Sequence, residues 1–312
     1  MNMPVIEVRN LTKKFDDIVA VDELSFTVNA ADVYGFLGQN GAGKSTTLRM
    51  LLSLIFPDHG DMHIFGMDLK HNRREILQQT GAVIERPDLY KYLTAYETLS
   101  VFSTMSGIHA DRKRIMSQLE LVGLTDRAEG KVRTFSQGMK QRLGIAVALI
   151  HDPRLVILDE PTNGLDPQGI ADMRNLILRL SREMGKTVLV SSHLLSEIEQ
   201  VATRMLIIDK GRKMVEGSVE ALCRPALKRV EIDLADPVRA KEILTKAGYD
   251  IVTVPGNHSR LVLGIREEEV SVVNRLLVQN DIDVISIRPA NSLEEYFLSL
   301  TAGKQHVEAY KY

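Results

Sequence analysis

Gly38 to Ser45 read G-Q-N-G-A-G-K-S, set between an apolar pentapeptide, Val33-Tyr34-Gly35-Phe36-Leu37, and an apolar-rich stretch, Thr46 to Phe56. The spacing predicts a short buried strand, a glycine-rich turn and a helix. Gly38, Gly41 and Gly43 let the backbone enter positive φ, so that successive N–H groups turn inward around phosphate oxygens. The helix behind the loop points its N-terminal dipole at the same spot. Lys44 is placed to reach the β- and γ-phosphates of a nucleotide, and the Ser45 hydroxyl to ligate Mg2+. Gln39, Asn40, Ala42 and Thr46 complete the phosphate-facing segment.

The rest of the composition excludes several classes. A chain of 312 residues fits one large domain or two smaller ones. Its formal net charge of -2 provides no footprint for nucleic acid or for an anionic membrane surface. The single cysteine, Cys223, excludes an internal disulfide framework and fits a reducing cytosol. The start, M-N-M-P-V-I-E-V, lacks the basic-then-apolar pattern of a signal peptide. No apolar run approaches the roughly 18 to 20 residues of a membrane helix. The expectation is a soluble, cytoplasmic chain whose membrane role, if any, runs through a partner.

Residues 5–9 and 25–28 read as strands of a first small sheet. Residues 73–123 read as helical, with Thr94 and Asp111 as N-caps of helices over 95–105 and 112–122. Leu155 to Leu158 and Thr187 to Ser191 are short apolar runs typical of buried parallel strands, and 170–182 is an amphipathic helix between them. Strands alternating with helices imply an α/β core with a mostly parallel sheet. After Gly217 the order becomes β-α-β-β-α-β: strands at 230–234, 251–254, 261–265 and 283–288, helices at 237–247 and 267–279, and a turn at Pro255-Gly256-Asn257. That is the ferredoxin-like order of a small α+β domain. Its helix faces, Ile243, Leu244 and Ala247 on one and Val270, Val273 and Leu277 on the other, read as core. A short helix at 292–301 follows. The expected division is 1–217, a linker at 218–228 around Pro225, and 229–312.

Three further segments narrow the chemistry. Leu155-Val156-Ile157-Leu158-Asp159-Glu160 is an apolar strand ending in two carboxylates. Asp159 is placed to hold Mg2+, directly or through water, and Glu160 to polarise an attacking water as general base. In Thr134-Phe135-Ser136-Gln137-Gly138-Met139, Ser136 is a natural N-cap, and the helix start with the Gly138 amide forms an anion site. His193, in S-S-H-L-L, follows the strand at 187–191, where a γ-phosphate sensor is useful.

With these motifs in this order, the chain resembles an ATP-binding cassette (ABC) ATPase across roughly 5–217. G-Q-N-G-A-G-K-S matches the Walker A loop, F-S-Q-G-M-K-Q-R the signature motif and V-I-L-D-E-P-T the Walker B strand. Asn163-Gly164-Leu165-Asp166-Pro167 matches the D-loop, so the resemblance places Asp166 near nucleotide, and His193 matches the switch histidine. Phe15, in L-T-K-K-F, falls where the family stacks an aromatic on adenine. The resemblance implies a P-loop NTPase core with an antiparallel β subdomain and a helical subdomain over about 86–145. It also implies Mg2+-dependent ATP hydrolysis and a head-to-tail dimer of ATPase subunits. A separate transmembrane permease would dock on the helical region of 86–133, at the inner face of the cell membrane.

Two departures mark this sequence. In the signature, Gln137 and Met139 replace the usual residues, while Ser136 and Gly138 are retained. In Gly81-Ala82-Val83-Ile84-Glu85, the position where most of the family carries Gln is Glu85, which puts a carboxylate on the Mg2+ side of the site beside Asp159 and Glu160. The surrounding segment, from Glu85 to Leu99, resembles the ATPases of bacitracin-resistance and lantibiotic-immunity exporters. That implies export of a peptide antibiotic. Alternatives are an exporter of another cargo, such as a drug, lipid or ion, a soluble ABC protein acting on ribosomes or DNA, and a catalytically idle regulatory cassette. One cassette and only about 90 residues between Lys44 and Thr134 disfavour the ribosome and DNA types. Intact Lys44, Asp159, Glu160 and His193 disfavour the idle one.

Overall fold

The computed structural model describes residues 4–85, 87–223, 228–249, 251–253, 260–266 and 268–289. The chain divides into two compact units, Met1–Ser218 and Val219–Tyr312.

The first unit opens with a hairpin, β1 (Ile6–Phe15) and β2 (Ile18–Val28). Both strands run well beyond the sequence expectation of 5–9 and 25–28. Register shifts between Val8 and Lys14 let the pairing continue through polar, exposed positions that carry no alternation, and Asp16 makes the tight turn with φ +48°. β3 (Val33–Leu37) is buried at every residue and delivers the chain into the glycine-rich loop, after which α1 (Lys44–Leu51) begins. α1 is shorter than the apolar run to Phe56 suggests, because Leu52 leaves helical geometry and Ser53 sits at φ +52°. β4 (His59–Ile64) and β5 (Met67–Asp68) complete an antiparallel sheet of order β2-β1-β4-β5.

α2 (Arg73–Gln78) then leads into β6 (Thr80–Val83), which corrects the uniformly helical reading of 73–123. Four small residues show no periodicity. They become a strand because a neighbouring edge accepts them. α3 (Ala95–Met105), α4 (Arg112–Leu121) and α5 (Gln137–Leu149) form the helical region, capped as expected by Thr94, Asp111 and Ser136. Thr94 and Glu97 make a reciprocal capping box.

β7 (Leu155–Asp159), α6 (Pro167–Arg182), β8 (Thr187–Ser192), α7 (Leu195–Val201), β9 (Arg204–Asp209) and β10 (Arg212–Ser218) finish the unit. The second sheet has the order β10-β9-β3-β8-β7-β6, parallel throughout except for β10. β3, β7 and β8 are buried along their whole length, as strands covered on both faces must be. Phe26, Tyr34, Phe36 and Leu48 join the two sheets in one core, with Phe26 stacked on Tyr34 at 5.9 Å between centroids. Each such buried side chain contributes about 1.5–3 kcal/mol. The Tyr34 hydroxyl donates to Glu216 Oε1 at 2.8 Å, and burial together with that carboxylate pushes the phenol pKa far up. The result is a rigid wedge whose carboxyl edge carries the loop and the acidic pair.

The second unit begins with α8 (Val219–Cys223), a helix inside the stretch expected as linker. β11 (Lys228–Leu234), α9 (Pro237–Lys246), β12 (Ile251–Thr253), β13 (Arg260–Ile265), α10 (Glu269–Gln279) and β14 (Val284–Pro289) follow. The antiparallel order β12-β13-β11-β14 is the sheet that β-α-β-β-α-β predicts. Ile232, Leu244, Leu263, Val273 and Leu277 form its core, with Ile243 and Val270 partly buried against it. Ala247 lies past the end of α9 and is exposed. The opposite sheet face carries Arg260 and Arg288 paired with Glu231 and Asp233. The expected turn at 255–257, Pro225 and the helix at 292–301 lie outside the described residues.

Candidate nucleotide site

Gly41 (φ +82°) and Gly43 (φ +102°) hold the left-handed conformations that bend the loop over the start of α1. A Cβ at Gly43 would lie 2.4 Å from Ala20 O, so only glycine fits there. No acidic residue occupies the first turn of α1, and no side chain caps it. That leaves the N-terminus suited to an anion. Gly38, Ala42 and Gly43 are buried, Gln39, Ser45 and Thr46 half-buried, and Asn40 and Gly41 exposed. Thr47 Oγ1 donates to Gly43 O at 2.9 Å and ties the loop to the helix.

Lys44 runs back along the loop, 5% exposed, and its Nζ donates to Gly38 O at 2.6 Å and Gln39 O at 3.3 Å. It also stands 3.1 Å from Glu160 Oε1. Glu160 sits at φ +49°, a conformation few side chains adopt, and so turns sharply away from the strand that ends at Asp159. Its second oxygen, Oε2, is 2.7 Å from His193 Nδ1. The three residues expected to act together are therefore linked in one line, from α1 through the end of β7 to the end of β8.

Asp159 is 2% exposed and accepts a hydrogen bond from Ser191 Oγ at 2.5 Å. The same Ser191 oxygen accepts from Glu160 N at 2.9 Å. One hydroxyl thus fixes both acidic residues. Sequence reading missed Ser191; its only signal is adjacency to His193 across a strand whose neighbour, by register, is Asp159.

Among the described residues no group of three His, Cys, Asp or Glu side chains forms a metal site. Ser45 and Asp159, with phosphate oxygens supplying the rest, match the sparse protein ligation that Mg2+ prefers. Glu85 lies two residues beyond Val83, which pairs with Leu158, so it leaves the sheet at the same carboxyl edge. Its side chain is exposed and is bound by Arg49 of α1. Arg49 was not singled out by sequence.

Phe15 ends β1 and is 45% exposed, with Lys13 Nζ 5.4 Å from its ring centre. Ser136 Oγ accepts from Met139 N at 3.2 Å as the cap of α5, and a Cβ added at Gly138 would meet the Leu165 side chain at 3.6 Å. Asp166 caps α6 by accepting from Gly169 N at 2.9 Å. None of the described contacts joins Ser136, Gly138 or Asp166 to the Lys44 loop of the same chain.

Residues 21–163 match the ABC transporter family. The chain is 43% identical to the bacitracin transport ATP-binding protein BcrA of Bacillus licheniformis, over 96% of this chain and 98% of that one. It is 39% identical to the Nod factor export ATP-binding protein I of Burkholderia lata, over 78% and 82% of the two chains. A dimeric ATP-binding cassette in a post-hydrolysis state with ADP and Pi superimposes with a TM-score of 0.62 at 25% identity, covering 69% of this chain and 98% of that one. Members of this family hydrolyse ATP, dimerise and work with membrane permeases. By its motifs, its fold and these relatives, the chain belongs to the ABC transporter family, as an ATP-binding subunit.

Proposed function

We propose that this chain hydrolyses ATP to energise a separate membrane permease that exports a peptide antibiotic of the bacitracin or lantibiotic type. The observation that carries the catalytic reading is the line Lys44–Glu160–His193, in which a half-buried base touches both the phosphate-loop cation and a histidine. Lys44, Ser45, Thr46 and the amides of Gly38 to Gly43 hold the phosphates, and Phe15 offers its exposed ring to the adenine. Ser45 and Asp159 would hold Mg2+, which when bound would offset phosphate charge. Glu85, now paired with Arg49, would be a further oxygen ligand for that ion. Glu160 takes the proton of the attacking water, and His193 keeps the Glu160 carboxylate turned toward that water.

Ser136, Gly138 and Asp166 serve the nucleotide of a second copy, which makes the working unit a head-to-tail dimer. Among the described residues no helix is long and apolar enough to cross a membrane. The permease would supply the spans and hold this subunit at the inner membrane face. The near full-length likeness to a bacitracin transport subunit supports the cargo. A permease for another cargo is the second reading, favoured by the likeness to a Nod factor export subunit. Expressing the full chain with its permease in a sensitive bacterium decides between them. Raised bacitracin or lantibiotic tolerance, lost with Lys44→Ala, is expected. Unchanged tolerance despite measured ATPase activity overturns the peptide cargo.

A further inference from the structure

Ser191 and Ser192 are consecutive strand residues, so their side chains point to opposite sides of β8. Ser191 faces Asp159 and the Glu160 amide. Ser192, 1% exposed, faces the other way and donates to Glu197 Oε2 at 2.8 Å. The same Oε2 accepts from Thr162 Oγ1 at 2.7 Å. Ser192 Oγ in turn accepts from Leu194 N at 3.0 Å, so the hydroxyl is held from both sides and its orientation fixed.

The places these bonds reach give Glu197 its meaning. Thr162 lies two residues after Glu160, and Ser192 immediately precedes His193. The loops that carry the base and the histidine thus meet twice. On one side Glu160 Oε2 touches His193 Nδ1 at 2.7 Å. On the other a single carboxylate oxygen of Glu197, on the first turn of α7, spans Thr162 and Ser192. Glu160 itself sits at φ +49°, a conformation that surrounding contacts must maintain. Charge-assisted hydrogen bonds are the strong kind.

We propose that Glu197 is a positioning residue for hydrolysis, clamping the Thr162 and Ser192 loops so that Glu160 and His193 stay in register. It acts through Thr162 and Ser192. The inference rests on the ATPase reading above. An ordinary helix-start carboxylate, stabilising α7 through its dipole, needs no particular hydroxyl partners. The clamp requires both.

The test uses the full-length chain. Glu197→Ala is expected to lower kcat about tenfold or more with KM for ATP held within about twofold, because small misplacement of reacting groups costs turnover rather than binding. Glu197→Gln keeps an amide oxygen able to accept both hydroxyls and is expected to recover kcat to within about threefold. Thr162→Val keeps the side-chain shape, loses the donor, and should lower kcat likewise. Combining it with Glu197→Ala should add little.

Amide hydrogen exchange supplies a second readout. Glu197→Ala should speed exchange at Leu194 and around Thr162 and leave β3 unchanged. An ATPase-dead parent chain would sink the hydrolysis reading, and exchange would still decide the clamp. Unchanged exchange at these loops overturns it, as does wild-type kcat in Glu197→Ala or equal loss in the Gln and Ala variants.

Discussion

Lys44 Nζ and Glu160 Oε1 lie 3.1 Å apart, and their side chains are only 5% and 18% exposed. The cation of the phosphate loop and the base at the strand end are thus held together in a largely dry setting, where neither can be altered without affecting the other. Glu160→Gln keeps the volume and removes the base. Hydrolysis should fall by about 10²–10⁴-fold, with ATP binding retained. Phosphate release and a nucleotide titration check both halves, and undiminished hydrolysis would remove Glu160 from its role.

His193→Ala removes the 2.7 Å partner of Glu160 Oε2. Turnover should drop about tenfold to a hundredfold while KM stays nearly constant, because on the proposed reading the side chain orients the base. Steady-state kinetics over a range of ATP concentrations is the measurement. A change confined to KM would mean that His193 contributes binding alone.

Arg49 and Glu85 form an exposed pair, at 40% and 63% side-chain exposure, worth under about 1 kcal/mol to stability. On the proposed reading its effect is on the metal. Glu85→Ala should raise the Mg2+ concentration for half-maximal ATPase by about tenfold, and Arg49→Met should lower it by freeing the carboxylate. Identical Mg2+ curves for all three proteins would show that Glu85 never reaches the ion.

Gly81 lets β6 lie against α5. A Cβ there would sit 2.2 Å from the backbone oxygen of Ala148 and 2.9 Å from Pro153. Because backbone must move to admit it, Gly81→Ala should cost about 1–3 kcal/mol, read as a lower midpoint in urea. An unshifted midpoint would mean that the β6 edge yields freely.

His151 Nε2 is 3.2 Å from Thr80 O, while its Nδ1 is buried without a hydrogen-bond partner. Burial is the largest cause of its pKa lying below the ordinary histidine value, outweighing the Thr80 carbonyl, which raises it. The unfolded chain therefore takes up this proton at a higher pH than the folded one. The stabilising contribution is present above the unfolded value, about 6.5, and is lost as pH falls toward the lower folded value. Urea melts at about pH 7.5 and 5.5 should show a loss that His151→Gln reduces. Equal losses would place the pH sensitivity elsewhere.

Much of this site could be read from one dimension because its key residues sit in short, contiguous words. G-Q-N-G-A-G-K-S and L-V-I-L-D-E each combine an element with its chemistry, so the loop, β7 and the acidic pair followed directly. The caps Thr94, Asp111 and Ser136 were legible for the same reason: a cap acts within three residues. What escaped were relations across the sheet. Ser191 matters through a register with Asp159, Glu197 through hydroxyls 35 and 5 positions away, and Arg49 through a partner 36 positions on. β6 and the extensions of β1 and β2 escaped because a neighbouring strand, and no periodicity of their own, makes them strands.

The glycine at position 43 has one more consequence. It rests against Ala20 at the start of β2 and near Gly211 in the β9–β10 turn, and Gly211 N also bonds Ala42 O at 2.9 Å. The phosphate loop is therefore a seam between two sheets. It cannot open alone, as surface loops do, without parting the sheets that flank it. The amides that close this seam, Ala42 N on Gln39 O and Gly211 N on Ala42 O, should exchange only in larger openings of the first unit. An ATP site of this kind is ready before its ligand arrives, and the motion that drives transport must come from its neighbours.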